Sequence, residues 1–309
     1  MLSRRTILTG LPLFAWRAWP AVAAFAAAGS RRVLVVFSSA VEPCAAAAEG
    51  LRARLLSDAI LLDWVDLSRA AFAADVAQEL ARRPVLIVAV GSDALRYLAG
   101  RTAAASTIST MTLAADRAPE SSPAPVHAAI YLDIPVRLLV AELHNLFPGK
   151  PRIAVIRNPN RPGPSAALPH CIGTDASAVE IAECDAPDKL LPVFLGLRKK
   201  VDFVICLPDA ALYNGATARP LIMASLENRL PIVGFSPAFL RAGAAVAVYP
   251  DYRAIGYQTA DLVRRCLEPG GCAGTENPRK IQVAVNAKIL RMLGMEFSAA
   301  DHPEVEVLR

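Results

Sequence analysis

The chain has 309 residues, 54% apolar and 20% charged, which excludes a disordered chain and exceeds what one compact core usually holds, so two lobes are expected. The formal charge is +5, but Arg4, Arg5 and Arg17 lie in an N-terminal segment read below as removable, and without them 30 basic residues face 28 acidic ones. So small an excess, with no basic stripe interleaved with aromatics, gives nucleic acid no place among the partners.

Residues 1–28 read as an export signal. A basic start is followed by an apolar stretch and by small residues at Ala21-Val22-Ala23, Ala24-Phe25-Ala26 and Ala26-Ala27-Ala28, any of which suits cleavage. Ser3-Arg4-Arg5-Thr6-Ile7-Leu8 is similar to a twin-arginine signal, with Ile where that pattern prefers Phe. An ordinary secretory signal and a retained anchor are the alternatives; Pro12, Arg17 and Pro20 interrupt the apolar run and disfavour the anchor.

The predicted elements then alternate. Arg32–Phe37 is the first strand, followed by a helix over Pro43–Leu56. The strand Ile60–Val65 precedes a helix over Ala70–Arg82, and the strand Val85–Val90 closes at Gly91-Ser92-Asp93, before a short helix to Leu98. Thr107–Leu113 and Val126–Leu132 are two further strands joined by the Pro/Ser-rich loop Ala118–Pro125. A boundary falls at Asp133-Ile134-Pro135, where a helix runs to Phe147, and Arg152–Arg157 starts a fresh series with a strand at Val179–Ala182 and a helix at Lys189–Arg198.

In Val201–Phe235 the short apolar run Phe203–Leu207 has no polar alternation and stops at Pro208-Asp209. It reads as a strand buried on both faces. A helix over Ala216–Asn228 and a second strand, Ile232–Phe235, make a βαβ unit whose strands should be parallel. The strand Ala244–Val248, an amphipathic helix Tyr252–Leu267, the strand Ile281–Asn286, a helix Ala287–Leu293 and a polar tail complete the chain. Strand–helix alternation of this kind specifies parallel sheets covered by helices.

Catalytic and metal motifs are missing from the sequence: there is no GxSxG, P-loop, GxGxxG or HExxH, the four histidines His127, His144, His170 and His302 are scattered, and no cysteine spacing suits a metal. No cofactor, metal or catalytic residue is expected, and an enzyme is the least supported class. Cys266 and Cys272 flank a Gly/Pro-rich loop; a disulfide and two free thiols both fit that spacing.

Pro208-Asp209 after its strand, Pro231-Ile232-Val233-Gly234, Ala242-Gly243-Ala244, Asp251-Tyr252, Ile255-Gly256-Tyr257-Gln258-Thr259-Ala260 and Val285-Asn286 occur in an order that resembles the solute-binding proteins of ABC transporters, in the subfamily linked to tryptophan-like and related ligands. The resemblance covers about Leu146–Met295; in the first lobe only Val88–Ser92 with Ala94-Leu95 carries it. It implies an α/β fold of the periplasmic-binding-protein type I: two Rossmann-like lobes with parallel sheets, joined by three crossovers near Leu132–Pro135, Tyr249–Tyr252 and Gly271–Arg279. Lobe one would hold residues 31–133 and 251–273, lobe two residues 134–250 and 274–309. The implied function is a periplasmic, monomeric binding component that takes a small organic solute between closing lobes and hands it to a membrane permease. A ligand sensor or envelope accessory protein on the same fold is the alternative. The family's glycine-rich segment has no counterpart in Ala114–Pro125.

Ligands of open parallel sheets bind beyond the carboxyl ends of the strands. That rule selects Ser38, Ser39, Ser92 and Asp93 in the first lobe, where hydroxyls and helix-start N–H groups suit a carboxylate or phosphate, and helix capping is the plain alternative for the serines. In the second lobe it selects Asp209, Ser236 and Asp251 as hydrogen-bonding groups, with Tyr213 and Tyr249 as apolar wall. Turn and hinge structure is the competing role for the two aspartates.

Overall fold

A computed structural model describes residues 31–102, 105–116, 126–161, 179–271 and 273–309; the expected export signal lies outside these. The first series runs β1 (Arg32–Phe37), α1 (Glu42–Leu55), β2 (Leu61–Asp66), α2 (Phe72–Ala81), β3 (Leu86–Val90), α3 (Ser92–Leu98), β4 (Ser106–Thr112) and β5 (Val126–Tyr131). The second runs α4 (Val136–Leu146), β6 (Ile153–Arg157), β7 (Glu180–Glu183), α5 (Leu190–Gly196), β8 (Phe203–Cys206), α6 (Ala218–Asn228), β9 (Ile232–Gly234), α7 (Pro237–Ala242) and β10 (Val246–Pro250). The chain closes with α8 (Tyr252–Leu267), β11 (Gly274–Glu276), β12 (Ile281–Asn286), α9 (Ala287–Met292) and β13 (Glu306–Leu308).

These strands build two sheets, in the orders β11-β5-β4-β3-β1-β2 and β13-β12-β10-β9-β8-β6-β7. The first is parallel throughout. The second is parallel except where β12 runs against β10. Central strands β3 and β8 are buried along their whole length, as β-branched runs covered on both faces must be. One face of the first sheet packs on α1 and α8 through Leu51, Leu55, Ile255 and Val263; the other packs on α2 and α3 through Val76, Leu95 and Leu98. The second sheet packs on α4 and α9 on one face and on α5, α6 and α7 on the other.

The chain passes between the sheets at Leu132–Pro135, at Asp251 and at Asn277–Lys280. The last position differs from the lobe limits read off the sequence. Residues Gly274–Glu276, expected with lobe two, extend the first sheet by pairing with β5. Three elements were unforeseen: α7, which is only six residues long, β11, which pairs with β5, and β13, which pairs with β12 from inside the polar tail. A polar three-residue edge strand has no alternation to reveal it, because only its partner strand defines it.

Helix α8 begins at Asp251, whose carboxylate caps it by accepting from Ala254 N at 3.0 Å. It crosses α1 with backbones in contact: a Cβ on Gly256 would lie 2.1 Å from Ala47 O, and one on Gly50 2.2 Å from Arg253 O. Only glycine allows this approach. The crossing sets where Tyr252, at the start of α8, enters the space between the lobes.

Candidate functional site

The first sheet has a switch point between β1 and β3, where neighbouring strands send their connections to opposite faces, α1 covering one and α3 the other. Loops there diverge and leave a crevice. A cavity of about 230 Å³ lies over the carboxyl ends of β8, β9 and β10. Ile205, Cys206, Leu207, Pro208, Val233, Gly234, Phe235 and Val248 line it from the second lobe. Leu113, Leu132 and Tyr252 reach it from the first lobe and the crossings. The wall is apolar because these strand ends are continuations of core strands.

Of the residues selected from the sequence, Ser236 lines this cavity. Its oxygen accepts from Phe239 N at 3.2 Å and so caps α7, leaving the O–H to donate to a ligand. Tyr213 stands behind the wall, packed on Phe235 and Phe239 at ring-centroid distances of 5.7 and 5.9 Å. Its hydroxyl is buried beside the Cys206 thiol. Burial first, then the neighbouring Cys206 thiol, push this phenol well above its ordinary value.

The first-lobe residues Ser38, Ser39, Ser92 and Asp93 are not among those that line the cavity. Ser39 N donates to Asp66 Oδ1 at 3.0 Å, and Ser39 Oγ lies 2.9 Å from Ser68 Oγ. Burial works to raise the Asp66 carboxyl, but hydrogen bonds from Ser39 and Ser68 outweigh it and hold the group at about 2. Ser38 O accepts from Val41 N at 3.4 Å. Ser92 is the first residue of α3 rather than its cap, the preceding position being Gly91 at φ +93°. Asp93 pairs with Arg96 at 2.9 Å in the open, both side chains being more than two-thirds exposed.

Tyr249 and Asp251 are engaged at the hinge. Tyr249 Oη donates to Glu306 Oε2 at 3.0 Å, tying β10 to β13. Asp251 accepts from Lys280 Nζ at 2.8 Å and from Gln282 Nε2 at 3.0 Å, besides capping α8. Burial acts to raise its carboxyl, and these bonds more than reverse that. Asp251 thereby fastens the second crossing to the third.

Asp209 is 7% exposed, and its Oδ1 takes Arg161 Nη1 at 3.1 Å and Ala211 N at 2.8 Å. Sequence reading missed Arg161, which follows β6, and Asp116, which ends a 3-10 turn after β4. Arg161 Nη2 donates to Asp116. Behind them Asp133, in the first crossing, accepts from Ala114 N at 2.6 Å. Burial raises the Asp133 carboxyl, with Asp116 adding to the effect and Ala114 N opposing it. Burial works against the charge on Arg161, and Asp209 and Asp116 outweigh it and raise its pKa. No local pattern marks Asp116 or Arg161; Asp66, by contrast, ends a parallel strand as Ser38 nearly does, and the same rule would have found it. Among the described residues no group of three His, Cys, Asp or Glu suits a metal.

Residues 184–300 match the family described as ABC transporter substrate binding protein. No curated protein matches the chain. The fold is similar to the ligand-free, open structure of CD0873, a substrate binding protein with adhesive properties from Clostridium difficile, with a TM-score of 0.64 at 15% identity over 90% of this chain and 99% of that one. It is also similar to an ABC domain in complex with L-Trp from Streptococcus pneumonia (TM-score 0.56, 15% identity, 90% and 100% covered). A periplasmic ribose ABC transporter from Conexibacter woesei aligns with a TM-score of 0.52 at 15% identity, over 89% of this chain and 98% of that chain. The expected fold, two α/β lobes of the periplasmic-binding-protein type I, is therefore the observed one. The expected resemblance to ABC transporter solute-binding proteins holds in sequence over 184–300.

Proposed function

We propose that a chain with this family match and this two-lobed fold is the solute-binding component of an ABC transport system. The carrying observation is the cavity at the carboxyl ends of β8, β9 and β10, walled by residues from both sides of the hinge. Hinge closure around such a space sequesters a ligand. The size suits a compact organic molecule: an apolar cavity of about 150 Å³ takes a benzene, and this one is larger at about 230 Å³. Apolar walls favour a ligand with an apolar body, and the Ser236 hydroxyl supplies a directional bond to it. L-Trp and ribose, held by the pneumococcal protein and named for the Conexibacter one, enter the test panel on that basis. Ser38, Ser39, Ser92 and Asp209, which lie outside the cavity lining, are the further groups proposed to meet the ligand when the lobes close.

The same reading makes the protein an exported, non-catalytic monomer that docks on a membrane permease, delivered by a twin-arginine signal at 1–28. No helix among the described residues is long and apolar enough to cross a membrane. Native mass spectrometry of protein recovered from the periplasm, followed by thermal-shift screening of amino acids, nucleosides and sugars, tests the function. A true ligand at a hundredfold excess over its Kd stabilises by ~2.7 kcal/mol, and Ile205→Trp, which fills the cavity, abolishes that shift. A panel that leaves the melting temperature unmoved, on protein that carries no co-purified solute, overturns the proposal.

A further inference from the structure

We infer that Arg161 is the pivot of an electrostatic latch that holds the two lobes shut. The inference rests on the solute-binding reading for the meaning of closure, but its observations are separate from the cavity. Arg161 belongs to the second lobe, in the loop just after β6, and its guanidinium divides between two carboxylates. Nη1 bonds Asp209 of its own lobe at 3.1 Å; Nη2 crosses to Asp116 of the first lobe. Away from the crossings, this is the ion pair that joins the lobes among the described residues.

The two halves of the triad are built differently. Asp209 is 7% exposed and locked by Ala211 N, so it fixes the direction in which Arg161 points. A planar guanidinium held at one nitrogen presents the other in a set direction. Asp116 is 35% exposed and Arg161 24%, so the cross-lobe half faces water and is open to screening by salt. The first-lobe end is also tied to the hinge: Asp116 closes the turn that begins at Ala114, and Ala114 N is held by Asp133 in the first crossing. A rotation at that crossing therefore moves Asp116 relative to Arg161. The pair is made in this conformation, and any opening that draws Asp116 away from Arg161 loses its free energy.

Small-angle scattering on the full mature chain tests this. At low ionic strength the wild type should have a smaller radius of gyration than Asp116→Asn, and raising the salt should enlarge the wild type toward the variant while the variant stays unchanged. Asp116→Asn leaves the buried Asp209 pair intact, so it separates the latch from folding. Adding Arg161→Gln to Asp116→Asn should open the molecule no further, and Asp202→Asn, which breaks the Arg152 pair inside the second lobe, should change nothing. Equal radii and equal salt responses for wild type and Asp116→Asn overturn the latch. A thermal-shift screen on the same samples keeps the two ideas apart: solute binding with unchanged radii sinks the latch alone, and a larger, salt-insensitive Asp116→Asn without any solute sinks the binding function alone.

Discussion

Replacing Gly256 by alanine sets two effects against each other at one residue. In an isolated helix the change stabilises by ~1 kcal/mol, because alanine loses less backbone freedom on folding. Here the new Cβ would lie 2.1 Å from Ala47 O, 2.7 Å from Leu51 N and 2.9 Å from Gly50 Cα. All three are backbone atoms of α1, so no side-chain rotation relieves the overlap and the helices must part. Overpacking of this kind costs ~1–3 kcal/mol, at the upper end where backbone has to shift. The overlap wins, and Gly256→Ala should destabilise by about 2 kcal/mol net. Gly196, the last residue of α5, has open space where a Cβ would stand, with nothing within 4 Å, so Gly196→Ala should be neutral or stabilise by up to ~1 kcal/mol. Equilibrium urea unfolding of both variants reads the difference as a shift in midpoint at constant slope. A Gly256→Ala midpoint at or above that of the wild type would refute the close crossing of α1 and α8, and with it the placement of Tyr252 in the cavity wall.

Further outcomes follow from individual groups. The Asp66 carboxyl is lowered from 3.8 to about 2; its contribution is therefore present above pH ~4 and lost as the pH falls toward 2. Asp66→Asn should flatten the acid limb of a stability profile between those values, and an unaltered limb counts against the Ser39–Asp66–Ser68 network. Asp251→Ala should cost ~1–2 kcal/mol through loss of the α8 cap, whereas Asp251→Asn, which keeps an acceptor for Ala254 N, should cost less; equal losses in urea unfolding would contradict the capping role. Cys266 is disulfide-bonded while Cys44, Cys184 and Cys206 are free and buried. Alkylation of the denatured, unreduced protein should therefore label those three and spare Cys266. A non-reducing peptide map that joins Cys266 to Cys272 is the expected result.

The sequence alone determined most of the elements and the class of fold. The runs Arg32–Phe37 and Phe203–Cys206 are apolar without alternation, so they are buried strands wherever they pair, and the stripe along Tyr252–Leu267 is a helix with one face to hide. Those are local properties of the chain, and strand–helix alternation then leaves few topologies. It also located the ends of the strands, which is why Ser236 fell on the cavity wall. Tertiary structure alone decided what each polar group does there. Asp251 is spent on Lys280 and Gln282, Tyr249 on Glu306, and Asp209 on Arg161, partners that lie 29 to 57 residues away. Hydrogen bonds and ion pairs act over a few ångströms between groups that folding brings together, and no spacing in the chain announces them. The same holds for β11, β12 and β13, whose direction and place were set by the strands they pair with inside each lobe.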